Sequence, residues 1–565
     1  MENKILKGAD ALMCSLIEED VNTIFGYPGG QIITVFDSMY SYRESFQHIL
    51  TRHEQGAIHA AQGYARVSGE TGVVIVTSGP GATNVITGLA DAMLDSTPLV
   101  VITGQVGASL LGTDAFQETD VIGITQPITK WSYQIRKASE IPWAVARAFY
   151  IAREGRPGPV VLDITKDAQS EMMEFSYKKC NFIRSYQPYP DLQPANIAKA
   201  AELINKAERP FALVGQGVML GHAEEELMAF LTKANIPAGC TLLGLSAIPS
   251  DFSLNKGMLG MHGNIGPNKK TAECDVLIAI GMRFDDRVTG DLRKYARQAQ
   301  VIHFDIDVSE INKNVKVAVP VLGNAKDTLP AVTALLEEAD HSEWVNSFEA
   351  CEQEETERVI LPEIMPASGP ITMGEVVHKV SESVSHDAIL VTDVGQNQMM
   401  AARYFKFSKS RSMITSGGLG TMGFGLPAAI GAALGAPERR VCFFTGDGGI
   451  QMTLQELGTI MQYKIPVKII VLNNSFLGMV RQWQELFYRE RYSSTPMDNP
   501  DFPKIAEAYG IAGQKVTKRE DLDDAIAEML GSNEAYLLEV EVEENGMVYP
   551  MIPAGTSVEQ IILGD

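Results

Sequence analysis

Short unbroken apolar runs alternate along this chain with longer stretches in which apolar residues recur every three or four positions. The first pattern is that of a strand covered on both faces, the second that of an amphipathic helix. GVVIVTSGPG (72–81), PLVVITGQ (98–105) and GPVVLDIT (158–165) are strand candidates in a first block. PFALVGQG (210–217), DVLIAIGMRF (275–284) and QVIHFDID (300–307) mark a second, and DAILVTDVGQ (387–396), RRVCFFTGDGG (439–449), VKIIVLNN (467–474) and AYLLEVEVE (535–543) a third. Strands that alternate with helices imply parallel sheets. The expected fold class is therefore α/β, with three doubly wound parallel-sheet domains. The N-terminal MENKILKGADALMCSLIEEDV reads as a helix carrying acids.

Two stretches break the alternation: 178–194, rich in Tyr and Pro, and 349–370, charged and then Pro-containing. Read as connectors, they divide the chain into 1–180, 190–345 and 365–545, with 546–565 as a C-terminal tail. A chain of 565 residues has room for three or four domains at roughly 150 residues each. The net charge of −23 excludes nucleic acid and anionic membranes as partners, since both need a basic surface. Six scattered cysteines, with no C-x-x-C pair, suit free thiols in a reducing compartment. The N-terminus lacks the features of a signal or transit peptide. No apolar run approaches the ~20 residues that span a bilayer. A cytoplasmic protein is expected.

The candidate chemistry starts at LTRHEQGAIHAAQGYAR (50–66), where Ala57, Ile58, Ala60, Ala61 and Ala65 have helical spacing. Thr51 and Glu54 fit a capping box, and on these residues alone that is the reading of Glu54. Gly418, Gly420 and Gly423 form G-x-G-x-x-G, but no acid ends the following strand, so a dinucleotide site is not expected there. The stronger signal is Gly446-Asp447-Gly448-Gly449 at the end of one strand, followed by Asn474 at the end of the next. Open parallel sheets bind ligands at those ends. Glycine N–H groups at a helix start suit phosphate, and a carboxylate with an amide oxygen suits Mg²⁺.

This arrangement resembles the diphosphate–Mg²⁺ motif of thiamine diphosphate enzymes. Collinear with it, GYPGG, RHEQGA, TSGPGATN, AFQE, GRPGPVVLDITKD, GMHG, RFDDRVTG, TSGGLGTMGFGLPAAIGA and GMVRQWQELFY resemble the large catalytic subunits of acetohydroxyacid (acetolactate) synthases. The resemblance covers nearly the whole chain, and RFDDR and GMVRQWQ set it apart from pyruvate decarboxylases and oxidases. It implies a thiamine diphosphate-dependent carboligase. Such an enzyme decarboxylates pyruvate and transfers the two-carbon unit to pyruvate or 2-oxobutyrate, the first common step of branched-chain amino acid biosynthesis.

By that resemblance Glu54 is the acid–base group of the cofactor's pyrimidine, in an apolar, water-poor place, while Thr51 remains a helix cap. Gly30, Gln117 and Lys166 match active-site positions. Asp447, Asn474 and the Phe476 carbonyl would hold Mg²⁺. Val394, Gly395, Gln396, Asn397, Gly420, Gly446, Gly448, Gly449 and Met452 would line the diphosphate site, with Met422 beneath the bent cofactor. At Asn397 many relatives carry His. Arg287, otherwise an ion pair with Asp285 or Asp286, and Trp483 would meet the second substrate, and Phe116 and Met479 the channel. A structural FAD would take Arg156, Gly215, Gln216, Gly217, Thr241, Leu242, Met261, His262, Gly281, Arg283, Asp305 and Ile306, and Asn324 where an acid is often found. The resemblance also implies a homodimer or tetramer with shared sites and a small regulatory subunit. The alternatives are a flavin-dependent pyruvate oxidase and a non-catalytic flavin-binding relative.

Overall fold

The computed structural model describes residues 4–564. They form three six-stranded sheets, each parallel throughout. In spatial order the first is Gln47–Leu50, Thr23–Gly26, Gly72–Val76, Leu99–Gln105, Pro159–Thr165 and Trp131–Ile135. The third is Met413–Ile414, Ile389–Thr392, Val441–Gly446, Val467–Asn473, Tyr536–Glu541 and Ala512–Val516. Both have the same chain-order topology, 2-1-3-4-6-5. The central sheet is Asn255–Met258, Ala238–Cys240, Pro210–Val214, Val276–Ile280, Gln300–Asp305 and Val319–Leu322. Its order, 3-2-1-4-5-6, is that of dinucleotide-binding doubly wound sheets.

Each sheet therefore has a switch point, where successive connections leave in opposite directions and a crevice opens at the strands' C-terminal ends. In the first sheet it lies after Gly26 and Val76, in the central one after Val214 and Ile280, and in the third after Thr392 and Gly446. Most of the candidate residues stand on loops at these three points.

Three expectations are corrected. Residues 4–7 are a strand, paired antiparallel with Met172–Phe175, and the helix begins at Gly8; residues 1–3 lie outside the described part. The stretch 349–370 is helical from Glu349 to Ile364 and irregular only beyond. The capping box at Thr51 does not form. Thr51 is buried and donates to the carbonyls of Gly26 and His53. The helix Glu54–Ser68 is capped by His53, whose Nδ1 accepts from the Gln55 N–H. Glu456, from the third domain, accepts from the Arg52 N–H at 3.0 Å.

The alanines of helix Glu54–Ser68 serve contact with helix Gly425–Gly435. A Cβ on Gly63 would stand 2.0 Å from the Ala428 carbonyl oxygen, and one on Gly431 would stand 1.8 Å from that of Ala60. Only glycine lets the two backbones approach this far. The helix bearing Glu54 is thus packed directly on the third domain.

Candidate functional site

The residues singled out from the sequence gather in three groups. The first stands at the C-terminal end of the first sheet. Because His53 caps the helix, Glu54 is free to turn away from it, and its Oε2 accepts from Asn84 Nδ2 at 2.9 Å. Its Oε1 lies close to Gly81, where an added Cβ would be at 3.4 Å. Thr77 is wedged between Gly29 and Gly81, and an added Cβ on Gly79 would meet the Gln117 carbonyl at 2.9 Å. This brings Glu54, Gly30 and Gln117 into one neighbourhood. Gln117 holds a left-handed backbone, with φ +62°. Lys166 begins the helix after Pro159–Thr165 and is exposed. Phe116 is 83% exposed. Glu54 itself is partly exposed in the single chain, not in the water-poor place expected of it.

The second group lies at the third sheet's switch point. Asp447 starts the helix Asp447–Met452 and is buried. Loss of water pushes its carboxyl up to about 6, against hydrogen bonds from Asn499 and from backbone N–H groups. Asn474 ends the neighbouring strand's turn; its Oδ1 accepts from the Phe476 N–H and its Nδ2 donates to Gln396 Oε1 at 3.3 Å. Gln396 in turn donates to Gln482 and to the Gly546 carbonyl. Around Gly395 and Gly446 there is space, since the nearest atom to a Cβ at either would be Asn397 Nδ2, at 3.5 and 3.4 Å. Asn397 Oδ1 is buried without a partner. A buried acid and a glycine-lined hollow faced by the Asn397 Nδ2 donor fit a phosphate held through a divalent cation. Met452, by contrast, is 56% exposed.

The third group lines a cavity of about 690 Å³ walled by residues of all three domains. Its wall contains Arg156, Gly215, Gln216, Gly217, Thr241, Leu242, Met261, His262, Gly281, Arg283, Asp305, Ile306 and Asn324, every residue expected at the FAD site. It also contains Arg287, Met479 and Trp483 from the substrate side, and Val394, Gly395, Gly420 and Met422 from the cofactor side. Gly217 donates to the Gly281 carbonyl, and a Cβ on Gly217 would stand 2.6 Å from Gly281 Cα, so these glycines also close the switch point. Arg156 pairs with Glu310 at 2.7 Å and Asp307 at 3.1 Å. His262 is buried, with Nε2 unpartnered, and desolvation lowers its pKa to about 4. Asn324 caps the helix Ala325–Thr333 through its Oδ1, a structural task for the residue that replaces an acid. Arg287 is mostly exposed and sits 3.6 Å from Asp286. Trp483 is half-buried against Phe487, with ring centroids 5.1 Å apart, and is no core anchor.

In and beside the G-x-G-x-x-G segment, backbone N–H groups are taken up by protein carboxylates. Gly417 and Gly418 donate to Asp95, and Gly423 and Gly425 donate to Asp393. Asp393, Asp95, Asn84, Glu456 and Asn499 are the polar residues that sequence reasoning missed. Asp393 ends an apolar strand and was visible there; the others act across the fold and leave no local signal.

The chain matches three family descriptions: "Thiamine pyrophosphate enzyme, N-terminal TPP binding domain" over residues 6–124, the central domain over 197–332, and the "C-terminal TPP binding domain" over 393–540. It is a thiamine pyrophosphate enzyme. Across its length it is 44% identical to the "Acetolactate synthase large subunit" of Haemophilus influenzae, covering 99% of this chain and 98% of that one. It is 44% identical to the "Acetolactate synthase isozyme 2 large subunit" of Escherichia coli, with 99% of both covered. The "Probable acetolactate synthase large subunit" of Methanocaldococcus jannaschii is also 44% identical, with 99% and 95% covered. Within the thiamine pyrophosphate enzymes, the chain belongs to the acetolactate synthase large subunits.

Proposed function

We propose that the chain decarboxylates pyruvate and joins the two-carbon fragment to a second pyruvate or to 2-oxobutyrate, opening branched-chain amino acid biosynthesis. The observation that carries this reading is the shared cavity: Arg287 and Trp483 line the same space as Met422, Gly420, Val394 and Gly395. An acceptor acid and the reacting end of the cofactor would meet there. Bound thiamine diphosphate supplies a nucleophilic carbon and takes up the electron pair released with CO₂.

The chain's own groups do the rest. Glu54 would exchange a proton with the pyrimidine ring, its Oε2 held by Asn84. Asp447, the Asn474 side-chain oxygen and the Phe476 carbonyl would hold Mg²⁺. Val394, Gly395, Gln396, Asn397, Gly446, Gly448 and Gly449 would take the diphosphate, and Met422 would support the cofactor. The Arg287 fork would bind the acceptor's carboxylate, and Trp483 would weigh its alkyl end. FAD, in a structural role, suits the central part of the cavity. Residues 1–180, 190–345 and 365–545 would then serve as pyrimidine, FAD and diphosphate domains, with 546–565 as a tail.

The active unit is at least a homodimer in this reading. Glu54 and its neighbours are absent from the cavity wall and partly open in one chain. A second copy covering them would supply the dry surroundings that internal proton transfer needs. A small regulatory subunit and a cytoplasmic setting complete the proposal; among the described residues no helix is long and apolar enough to cross a membrane. The test is a pyruvate assay with and without thiamine diphosphate and Mg²⁺. Acetolactate that needs both supports the reading. Acetate or acetyl phosphate with anaerobic flavin bleaching, and no acetolactate, overturns it.

A further inference from the structure

Beyond helix Gly478–Tyr488, the chain returns along the third sheet's switch point as a loop, 489–501. It is fastened beside residues 474–477. Leu477 N–H donates to the Thr495 carbonyl and Met497 N–H to that of Ser475, both at 2.9 Å. At its end the loop delivers Asn499, whose Nδ2 donates to Asp447 Oδ2 at 2.6 Å and to Asn473 Oδ1 at 3.0 Å. Gln451 Nε2 donates to Asn499 Oδ1 at 3.0 Å. That bond fixes the amide's orientation, because the Gln451 nitrogen can only donate. Asn473 is held in turn by the Glu539 carboxylate, which accepts from its Nδ2 at 2.8 Å, and Lys515 pairs with Glu539.

Asn499 therefore spans the ends of two adjacent strands, the one that delivers Asp447 and the one that delivers Asn474. The Gly448 N–H sits on Oδ1 and Asn499 on Oδ2, beside further backbone donors from Ser475 and Asp447 itself, so both oxygens of the carboxylate are held. The carboxylate plane cannot swing without breaking a bond. We propose that Asn499, oriented by Gln451, is a positioning residue for a divalent cation at Asp447: it sets the carboxylate's angle and its separation from Asn474. The inference rests on Asp447 as a cation ligand, as argued above. Outer partners of this kind typically tune metal affinity by 10–100-fold.

The test is a calorimetric titration of Mg²⁺ into the metal-free full-length protein at fixed thiamine diphosphate, alongside turnover at saturating Mg²⁺. Asn499→Ala should raise the half-saturating Mg²⁺ concentration about tenfold, the lower end of that range, with kcat within about twofold of the parent. Gln451→Ala, at an exposed position that does not threaten folding, should raise it about threefold, and it carries the test should Asn499→Ala not fold. Asp447→Asn should remove the Mg²⁺ dependence altogether. If it does so while Gln451→Ala and Asn499→Ala titrate like the parent, the positioning role is overturned and the metal site stands. A fall in kcat with unchanged Mg²⁺ affinity would equally overturn it, by showing a loop-folding role only. Undiminished Mg²⁺ dependence in Asp447→Asn overturns both the metal site and the inference.

Discussion

Glu54→Gln separates chemistry from architecture, because the structure assigns the helix start to other groups. His53 caps the helix, and Glu456 takes the Arg52 N–H. What Glu54 gives the fold is its charge at the helix N-terminus, worth about 0.3–1 kcal/mol, and a charged hydrogen bond with Asn84. Glutamine keeps the length and an acceptor oxygen for Asn84, so the bond falls from charged to neutral, a loss of about 1 kcal/mol. The cost to stability is therefore below about 2 kcal/mol, a shift of a few degrees in melting temperature. Loss of an acid–base group lowers turnover about a hundredfold or more, about 2.7 kcal/mol in barrier height. The assay is acetolactate formation from pyruvate at saturating thiamine diphosphate and Mg²⁺, with melting curves on the same samples. Turnover near that of the parent in a folded variant would refute the catalytic assignment. An equal collapse of turnover and stability would return Glu54 to a structural role.

Asp447→Ala should abolish Mg²⁺-dependent cofactor binding; mixed with Glu54→Gln protein it should regain part of the activity, since mixed dimers hold one intact site, and no recovery after confirmed subunit exchange would mean that each chain builds its own. Trp483→Leu should leave pyruvate decarboxylation nearly unchanged and lower the preference for 2-oxobutyrate roughly tenfold or more, since one methylene is weighed at about 1–3 kcal/mol; an unchanged product ratio in a competition assay would remove Trp483 from the acceptor pocket. His59 is fully buried, and burial holds its pKa down at about 3 from 6.5. The unfolded chain takes up a proton that the folded one refuses, so this stabilisation is complete above pH 6.5 and lost as the pH falls. By pH 5 about 2 kcal/mol is gone. In urea unfolding, the deficit of His59→Gln relative to the parent at pH 7.5 should shrink by about that amount at pH 5, and a pH-independent difference would show that His59 is not the titrating group.

The pattern of apolar residues was enough to find ten of the twelve interior strands and no edge; the two interior strands it missed, Thr23–Gly26 and Ala238–Cys240, are only four and three residues long, too short to register as an apolar run. All the strands read from it occupy inner positions of their sheets. Gln47–Leu50, Trp131–Ile135, Asn255–Met258, Val319–Leu322, Met413–Ile414 and Ala512–Val516 escaped it, and all six are edge strands. An inner strand of a parallel sheet is covered above, below and on both sides, so its sequence must be continuously apolar. An edge strand meets water, as the half-exposed Trp131 and the exposed Ala512 do, and its sequence is free to look like a loop. The same logic divides the site. Gly446-Asp447-Gly448-Gly449 was legible because a strand end, a tight turn and a helix start must be written in consecutive residues, whereas Gly215-Gln216-Gly217 was reached only through the family resemblance. Only the tertiary structure decided which acid faces the start of Glu54's helix, what the glycines of 417–425 hold, and which amide steadies Asp447. Those partners are Glu456, Asp95 with Asp393, and Asn499. Each long-range hydrogen bond among them joins residues far apart in the chain, and a side chain's partner across a fold is fixed by packing, which no local pattern records.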